Sequence, residues 1–167
     1  MANTNSNTAL LVMDVQPGII ERAGDKDAYL SRARSAVDHA RARGMRVVYV
    51  VVGFRAGAPE ASEAFRPHAA TFTDPHPAMT PADGDVVVTK RRVSAIAGSD
   101  LDVLLRANDI RRLVLCGIAT SGVVLSTIRE AADKDYKLTV LSDLCVDADP
   151  EVHRVLIGKC FRGRQGF

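Results

Sequence analysis

Residues Leu113–Glu130, LVLCGIATSGVVLSTIRE, predict a buried strand, a tight turn and then a helix. The apolar run Leu113–Cys116 suits a strand that is covered on both faces, and Gly117 ends it. Thr120 and Ser121 are residue types that commonly cap a helix, and apolar residues then recur at helical spacing. The first N–H groups of such a helix point at whatever lies above the strand's carboxyl end, where open α/β sheets bind ligands. A plain strand-to-helix connection with nothing bound is the simpler alternative.

Other apolar runs along the chain alternate with amphipathic segments. Strands are predicted at Ala9–Met13, Arg46–Val52, Val86–Thr89, Arg112–Cys116 and Lys137–Leu141. Helices are predicted at Asp27–Arg43, Asp100–Ala107, Thr120–Lys134 and Pro150–Gly158, the last with Asp149 as its N-cap. Strands that are apolar throughout and alternate with helices predict a parallel sheet covered on both faces.

The composition limits the class of protein. The chain has 167 residues, of which 47% are hydrophobic and 25% charged, and its net charge is +2. These values predict one globular domain, residues 1–167, and the balanced charge does not favour nucleic acid or an anionic membrane as a partner. No apolar run approaches the ~18 residues of a membrane span, and the N-terminus lacks the pattern of a signal peptide. A cytoplasmic location is therefore expected.

The cysteines and histidines form no metal or redox motif. The three cysteines include no CxxC pair, and we expect reduced thiols, with Cys116 in the core. His68 and His76 lie in the proline-rich segment 56–84, which predicts a lid or binding loop, but they lack the short spacing of a metal site. His153 is expected at the surface or in packing contacts. The absence of GxGxxG, GxxxxGK[ST] and GxSxG motifs argues against dinucleotide binding, a P-loop and a serine hydrolase.

Two charged residues stand at the carboxyl ends of predicted strands. Asp14 follows the first strand and Lys90 ends the third. Because the carboxyl ends of parallel strands share one edge, we expect Asp14 and Lys90 to meet there, near the turn after Gly117. Their pairing would keep Asp14 ionised and Lys90 protonated. A helix or turn cap is the alternative role for Asp14, although a carboxylate at the end of a buried strand is costly unless it is paired or used.

Three separated segments resemble the isochorismatase-like hydrolase superfamily, also called the cysteine hydrolases. They are LLVMDVQPG, VVVTKRRVSAIAGSDLDVLLRANDI and VLCGIATSGVVLSTIREAADKDYKLTVLSD, and they cover nearly the whole chain. The resemblance implies a three-layer α-β-α sandwich of Rossmann-like type, with a mainly parallel sheet of five to six strands. It also implies a homodimer or homotetramer, with Asp14 as catalytic acid/base and Lys90 as its partner.

The resemblance also assigns a role to the turn after Gly117. It implies a cis peptide between Ile118 and Ala119, with backbone N–H groups near Gly122 and Val123 aimed at a substrate oxygen. In the amidase members, a nucleophilic cysteine stands six residues after the turn glycine, and here that position is Val123. Valine carries no nucleophile, so we expect neither nicotinamidase nor other cysteine-dependent amidase activity.

Two further positions bear on the chemistry. Cys116 lies in the preceding strand and is not expected to replace the missing nucleophile. Gly53-Phe54-Arg55 does not supply the Asp/His cluster that binds metal in nicotinamidases, so neither a metal nor another cofactor is expected. Phe54 either lines a pocket or closes the core.

True isochorismatases also lack the cysteine and hydrolyse a vinyl ether with an aspartate as acid and water as the attacking group. The resemblance therefore implies a small-molecule hydrolase in which Asp14 and Lys90 are catalytic and Val123 is a degenerate nucleophile position. The residues expected to bind substrate are Gln16, Phe54, Ile118, Ala119 and Gly122, with Arg55, Arg91 or Arg92 holding a carboxylate. The alternative is a catalytically silent relative that binds a small molecule or serves as an assembly subunit. Val123 favours it, as does the short basic tail 159–167, where the family usually continues into another strand.

Overall fold

Five parallel strands form one sheet in the computed structural model, which describes residues 5–57, 60–63 and 65–161. The strands are β1 (Thr8–Met13), β2 (Arg46–Val52), β3 (Val86–Lys90), β4 (Arg112–Ile118) and β5 (Lys137–Val146). Their order across the sheet is β3-β2-β1-β4-β5, and each neighbouring pair is parallel. The central strand β1 is buried at every position, as its uninterrupted apolar sequence predicts.

Helices cover both faces of this sheet. They are α1 (Lys26–Ala42), α2 (Leu101–Ala107), α3 (Leu125–Asp133) and α4 (Pro150–Val155). The apolar side of α1, including Tyr29 and Val37, packs on one face with Leu10 and Val12 of β1. Residues of α2 and α3, including Leu105 and Ile128, pack on the other face. No helix in the described part is long and apolar enough to cross a membrane.

The three-layer α/β fold with parallel strands is thus confirmed, and β2 has the predicted bounds. Two other predicted bounds differ from the structure by five residues, and the rest by three or fewer. β5 continues to Val146, past an irregular pairing with β4 between Leu115 and Gly117. The helix predicted from Thr120 begins as a π-helical turn, and regular α-helix starts only at Leu125. The described residues form five strands, and the end of the basic tail, residues 162–167, lies outside them.

The segment between β2 and β3 folds back over the carboxyl edge of the sheet. The N–H of Phe54 donates to the carbonyl of Phe72 at 3.0 Å, and the N–H of Ala78 donates to that of Val15 at 2.8 Å. Gly53 makes the return possible, because a Cβ there would lie 2.4 Å from the ring of Pro75. The loop predicted from residues 56–84 is therefore a packed cover in its described parts, with a short 3₁₀ helix at Arg66–Phe72.

Gly117 sets the distance between β1 and β4 where both strands end. It pairs with Met13, and a Cβ on Gly117 would lie 2.2 Å from the Met13 carbonyl oxygen. Its φ of 154° is also unfavourable for a residue with a side chain. The glycine therefore lets the turn after β4 sit directly beside the end of β1.

We predict that Gly117→Ala lowers the free energy of unfolding by about 3 kcal/mol or more, because the new methyl group cannot be accommodated without separating β1 from β4. Urea titration followed by circular dichroism measures this change. Gly158→Ala is the matched control, since a Cβ at Gly158 would meet nothing within 4 Å. Equal stability of the two variants would contradict this account of the close approach.

Candidate active site

Asp14 directly follows the central strand β1 and leaves its extended path. Its φ is +57°, a left-handed conformation that is uncommon for residues other than glycine. The backbone N–H of Asp14 still donates to the Val50 carbonyl at 2.8 Å, so the residue stays anchored to β2. Only 6% of the residue is exposed. A buried carboxylate in an uncommon backbone conformation is a feature typical of functional sites.

Lys90 reaches Asp14 from the end of β3. Because β2 lies between β1 and β3, the two backbones are about 10 Å apart, a gap that the long lysine stem can span. Its Nζ lies 3.1 Å from Asp14 Oδ2, and Lys90 is only 3% exposed. The same ammonium donates to the carbonyls of Arg92 at 2.9 Å and Val93 at 3.1 Å. All three of its N–H groups therefore have acceptors, and the cation is fixed in place.

The two oxygens of Asp14 have different surroundings. Oδ2 faces the ammonium of Lys90, whereas Oδ1 is buried without a hydrogen-bond partner among the described residues. Burial raises the pKa of Asp14 to about 6, and the positive charges of Lys90 and Arg22 oppose this rise. The predicted pair is therefore present, but burial outweighs its effect on the carboxyl group. At pH 7 the carboxylate form predominates, and a modest drop in pH protonates it.

The turn after β4 lies beside Asp14. Met13 pairs with Gly117, so Asp14 and Ile118 follow at the same level on neighbouring strands. The Ile118–Ala119 peptide bond is cis. The carbonyl of Ala119 accepts the N–H of Gly122 at 3.2 Å and that of Val124 at 3.3 Å. The N–H of Gly122 thus has an acceptor within the turn itself.

The expected helix caps were wrong. Neither Thr120 nor Ser121 caps a helix with its side chain. The Thr120 hydroxyl instead lies 2.9 Å from Nδ1 of His153, and the backbone N–H of Ser121 donates to Oδ2 of Asp147 at 2.7 Å. The structure therefore secures this turn with side chains from the segment after β5.

The apolar residues of the turn are buried. Val123, which the sequence analysis placed at the nucleophile position, is 2% exposed and belongs to an apolar cluster with Val124 and Ile128. Ile118 is 1% exposed and belongs to the cluster on the opposite face of the sheet. Ala119 is half-buried. Ile118, Val123 and Val124 thus anchor the turn in the core on both faces of the sheet.

Gln16 and Phe54 have structural contacts where substrate contacts were expected. Gln16 is 2% exposed, its Nε2 donates to the Val52 carbonyl at 3.0 Å, and its Oε1 accepts the Val52 N–H at 2.7 Å. Its amide thus holds the end of β2 against the segment after β1. Phe54 is 6% exposed and packs against Phe65, with ring centroids 5.5 Å apart. Phe65 in turn packs on Phe72, so these rings close the core beneath the loop.

Two of the three candidate arginines are paired with a residue that the sequence analysis did not select. Glu60 Oε1 accepts the backbone N–H of Arg55 at 3.0 Å and its Nε at 3.1 Å, and it lies 3.5 Å from Nε of Arg91. These hydrogen bonds from Arg55 lower the pKa of Glu60 to about 2. Arg92 is exposed, and its backbone carbonyl accepts a hydrogen bond from the ammonium of Lys90. The structure therefore places an internal carboxylate where the arginines were expected to hold one from a substrate.

Sequence reasoning missed Asp147 and His153 for different reasons. Asp147 directly follows β5, so it satisfies the same criterion that selected Asp14, and the misplaced end of β5 concealed it. His153 is 33 positions from Thr120, and only the tertiary packing of α4 brings the two together. Asp143, expected to make hydrogen bonds in a loop, is an exposed residue within β5.

The cysteines and histidines differ in their surroundings. All three cysteines are free, and Cys116 is buried in the core as predicted, while Cys160 is exposed. Nδ1 of His76 lies 3.0 Å from the Asp74 carbonyl oxygen. In the described ranges, His, Cys, Asp and Glu form no group of three or more that could hold a metal ion.

Comparison with known proteins places these features in a family. The family model for the Isochorismatase domain matches residues 8–164. An uncharacterized isochorismatase family protein of Escherichia coli O157:H7, YecD, is 36% identical over 156 residues, which are 87% of this chain and 83% of that protein. The ureidoacrylate amidohydrolase RutB of Stutzerimonas stutzeri is 31% identical over 184 residues, covering 90% of this chain and 74% of the relative.

A solved structure agrees with these sequence relationships. The crystal structure of an isochorismatase family protein from Desulfovibrio vulgaris superimposes with a TM-score of 0.81 at 25% identity, covering 94% of this chain and 90% of that one. The residues matched by the family model include Asp14, Lys90 and the turn after β4. From the matching family model, the two relatives and this shared fold, the chain belongs to the isochorismatase family.

Proposed function

We propose that this chain is a small-molecule hydrolase that works without a cysteine nucleophile, using Asp14 and Lys90 with water. The observation that carries the proposal is the buried Asp14–Lys90 pair, in which one carboxylate oxygen has no partner among the described residues. Removing a carboxylate from water is costly, and Lys90 offsets only part of that cost. An oxygen left without a donor at the carboxyl edge of a parallel sheet is suited to a ligand.

The residues at the turn support water as the attacking group. Val123 stands six residues after Gly117, at the position we assign to the nucleophile of amidase relatives, and its side chain has no nucleophilic atom. Cys116 is a poor substitute, because it is 1% exposed and burial raises the pKa of its thiol. A reaction in which Asp14 handles a proton and water supplies the oxygen needs neither residue.

Hydrolysis of an enol ether fits these groups. Protonated Asp14 gives its proton to the terminal vinyl carbon, which produces an oxocarbenium ion at the ether carbon. Water adds to that carbon and loses a proton, and the resulting hemiketal breaks its C–O bond to release a ketone and an alcohol. The carboxylate of Asp14, left beside Lys90 after its proton has gone, is stabilised by the fixed ammonium.

The remaining predicted residues have supporting roles in this proposal. Gln16 holds the ends of β1 and β2 together, Phe54 closes the core, and Ile118, Ala119 and Gly122 form the turn beside the substrate. The exposed part of Arg91 or Arg92 is available for a substrate carboxylate. We propose that the reaction needs no cofactor and that residues 1–167 act as one domain. A homo-oligomer stays a prediction from the family resemblance.

A silent binding protein is the second candidate. Glu60 pairs with both Arg55 and Arg91, and this arrangement favours it because two expected substrate-binding cations already have an internal carboxylate. On this view Asp14 and Lys90 would bind a small ligand without transforming it. Turnover distinguishes the two candidates.

Asp14→Asn is predicted to abolish hydrolysis of isochorismate, lowering kcat by at least about 100-fold, because general acid catalysis contributes rate factors of this order. Pyruvate formation followed by NMR measures the reaction. Asp109→Asn is the matched control, since that side chain is 78% exposed and, in the part of the chain that the structure describes, pairs only with Arg111. Tight binding of isochorismate without product would support the silent binder, and unchanged turnover in Asp14→Asn would remove Asp14 from the mechanism.

The pH dependence should report the acid role of Asp14. Since its pKa is about 6 and the protonated form is the active one, kcat/KM should fall about tenfold per pH unit above pH 6. A profile of kcat/KM between pH 4.5 and 8.5 measures this limb. A kcat/KM that instead rises through pH 6 would show that the carboxylate is the active form and that Asp14 is a base.

We propose that Val123→Cys creates a thiol of lowered pKa, because on this assignment the new side chain faces the Lys90 cation, whose charge would outweigh the kind of burial that raises the pKa of Cys116. We expect iodoacetamide to alkylate it at pH 7 at least about tenfold faster than Cys116 or Cys145. The measurement uses a Cys160→Ser background, because Cys160 is exposed. Val124→Cys is the matched control, since Val124 is fully buried at the neighbouring position. Equal alkylation rates at the two positions would refute the assignment of Val123.

A further inference from the structure

We infer that His153 and Asp147 are positioning residues that together fix the turn from Ala119 to Val124. The inference rests on the proposed function only in assigning that turn to the reacting centre. Both residues come from the segment after β5, which the sequence analysis did not connect with the site. Each holds one of two consecutive residues of the turn, so we refer to them as the turn clamp.

His153 holds the first of these residues through its side chain. Thr120 is fully buried, and its Oγ1 lies 2.9 Å from Nδ1 of His153. A buried hydroxyl without a partner is costly, so the imidazole stabilises the particular rotamer and position that Thr120 adopts. Because Thr120 directly follows the Ile118–Ala119 peptide, a shift of its side chain would shift the backbone that passes Asp14.

Asp147 holds the next residue through its backbone. Its Oδ2 accepts the N–H of Ser121 at 2.7 Å, and its Oδ1 accepts the N–H of Asp149 at 3.4 Å. Burial raises the pKa of Asp147, but the hydrogen bonds from Ser121, Asp149 and Ala148 outweigh this, so the net shift is downward. The carboxylate form is therefore favoured, and a charge-assisted bond to Ser121 is the stronger kind.

The geometry of the turn explains why such a clamp is useful. The backbone of Gly122 has φ −94° and ψ −105°, which interrupts helical geometry. The N–H groups of Gly122 and Val124 share the Ala119 carbonyl, and the N–H of Leu125 bonds to the carbonyls of Thr120 and Gly122. Regular α-helix begins only at Leu125. The turn thus lacks the regular hydrogen-bond pattern of α3, and hydrogen-bond donors aimed at a transition state need positions fixed to about half an ångström.

The contact through Nδ1 allows a sharp set of substitutions. Asn places an amide atom near the position of Nδ1, whereas Gln extends to the position of Nε2. We therefore expect His153→Asn to keep the bond to Thr120, and His153→Ala and His153→Gln to lose it. Arg154→Ala is the matched control on the same helix, because among the described residues the side chain of Arg154 pairs only with Glu151.

The first readout is kinetic. His153→Ala should lower kcat for isochorismate by about tenfold or more with KM within about twofold, since a misplaced turn weakens contacts made in the transition state. His153→Asn should recover most of the loss, and Arg154→Ala should match the parent. Thr120→Val removes the same bond from the other side, so adding it to His153→Ala should cause no further loss. Equal kcat in His153→Ala and Arg154→Ala would overturn the inference.

The second readout needs no turnover and separates this inference from the proposed function. Backbone amide chemical shifts of Ser121 and Gly122 should move in His153→Ala and in Asp147→Ala. They should stay close to the parent values in His153→Asn and Arg154→Ala. If the parent hydrolyses nothing, these shifts still decide whether the clamp holds the turn. Unchanged amide chemical shifts of Ser121 and Gly122 in His153→Ala would overturn the inference. If His153→Ala does not fold, Thr120→Val supplies the same test.

Discussion

The ion pair between Asp14 and Lys90 is the constraint on which the rest of this edge of the sheet depends. Both groups are nearly excluded from water, and neither would be tolerable there alone. Lys90 is held by two carbonyls that immediately follow its own strand, so its ammonium is fixed before any ligand arrives. Asp14 is not fixed to the same extent, because one of its oxygens lacks a donor among the described residues. The asymmetry supports our proposal that the carboxyl group is the reactive member of the pair.

The strand order makes this pair possible. With β2 between β1 and β3, a shorter cation at the end of β3 could not reach Asp14, and the extended stem of lysine fills the space above β2. Gln16 then ties the end of β2 to the segment after β1, and Gly53 lets the loop return closely over the same edge. The amide of Gln16, which was expected to bind substrate, thus has contacts that hold this edge of the sheet together.

Sequence patterns predicted the elements whose formation depends on local burial. They failed where contacts between distant segments determine the structure. The strands β1 to β4 were placed within about two residues, because apolar runs bounded by charges or glycine mark them clearly. The start of α3 was misplaced, since Thr120 and Ser121 look like caps but bind His153 and Asp147. Hydrophobic periodicity carries no information about contacts between residues so far apart in the sequence. The pairing of Glu60 with Arg55 and Arg91 could not be predicted from the sequence either, because it depends on how the loop between β2 and β3 folds back over the sheet.

The proposed assignment of Val123 also changes what Asp14 can do. Beside a thiol, an aspartate would have a proton to accept. Beside valine there is no proton to accept, so a carboxylate at this position must act on the substrate or on water. Burial raises the pKa of Asp14 to about 6, which makes its acid form accessible near neutral pH and suits a proton donor. Since Val123 offers no thiol to deprotonate, the role that we propose for this accessible acid form is to protonate the substrate.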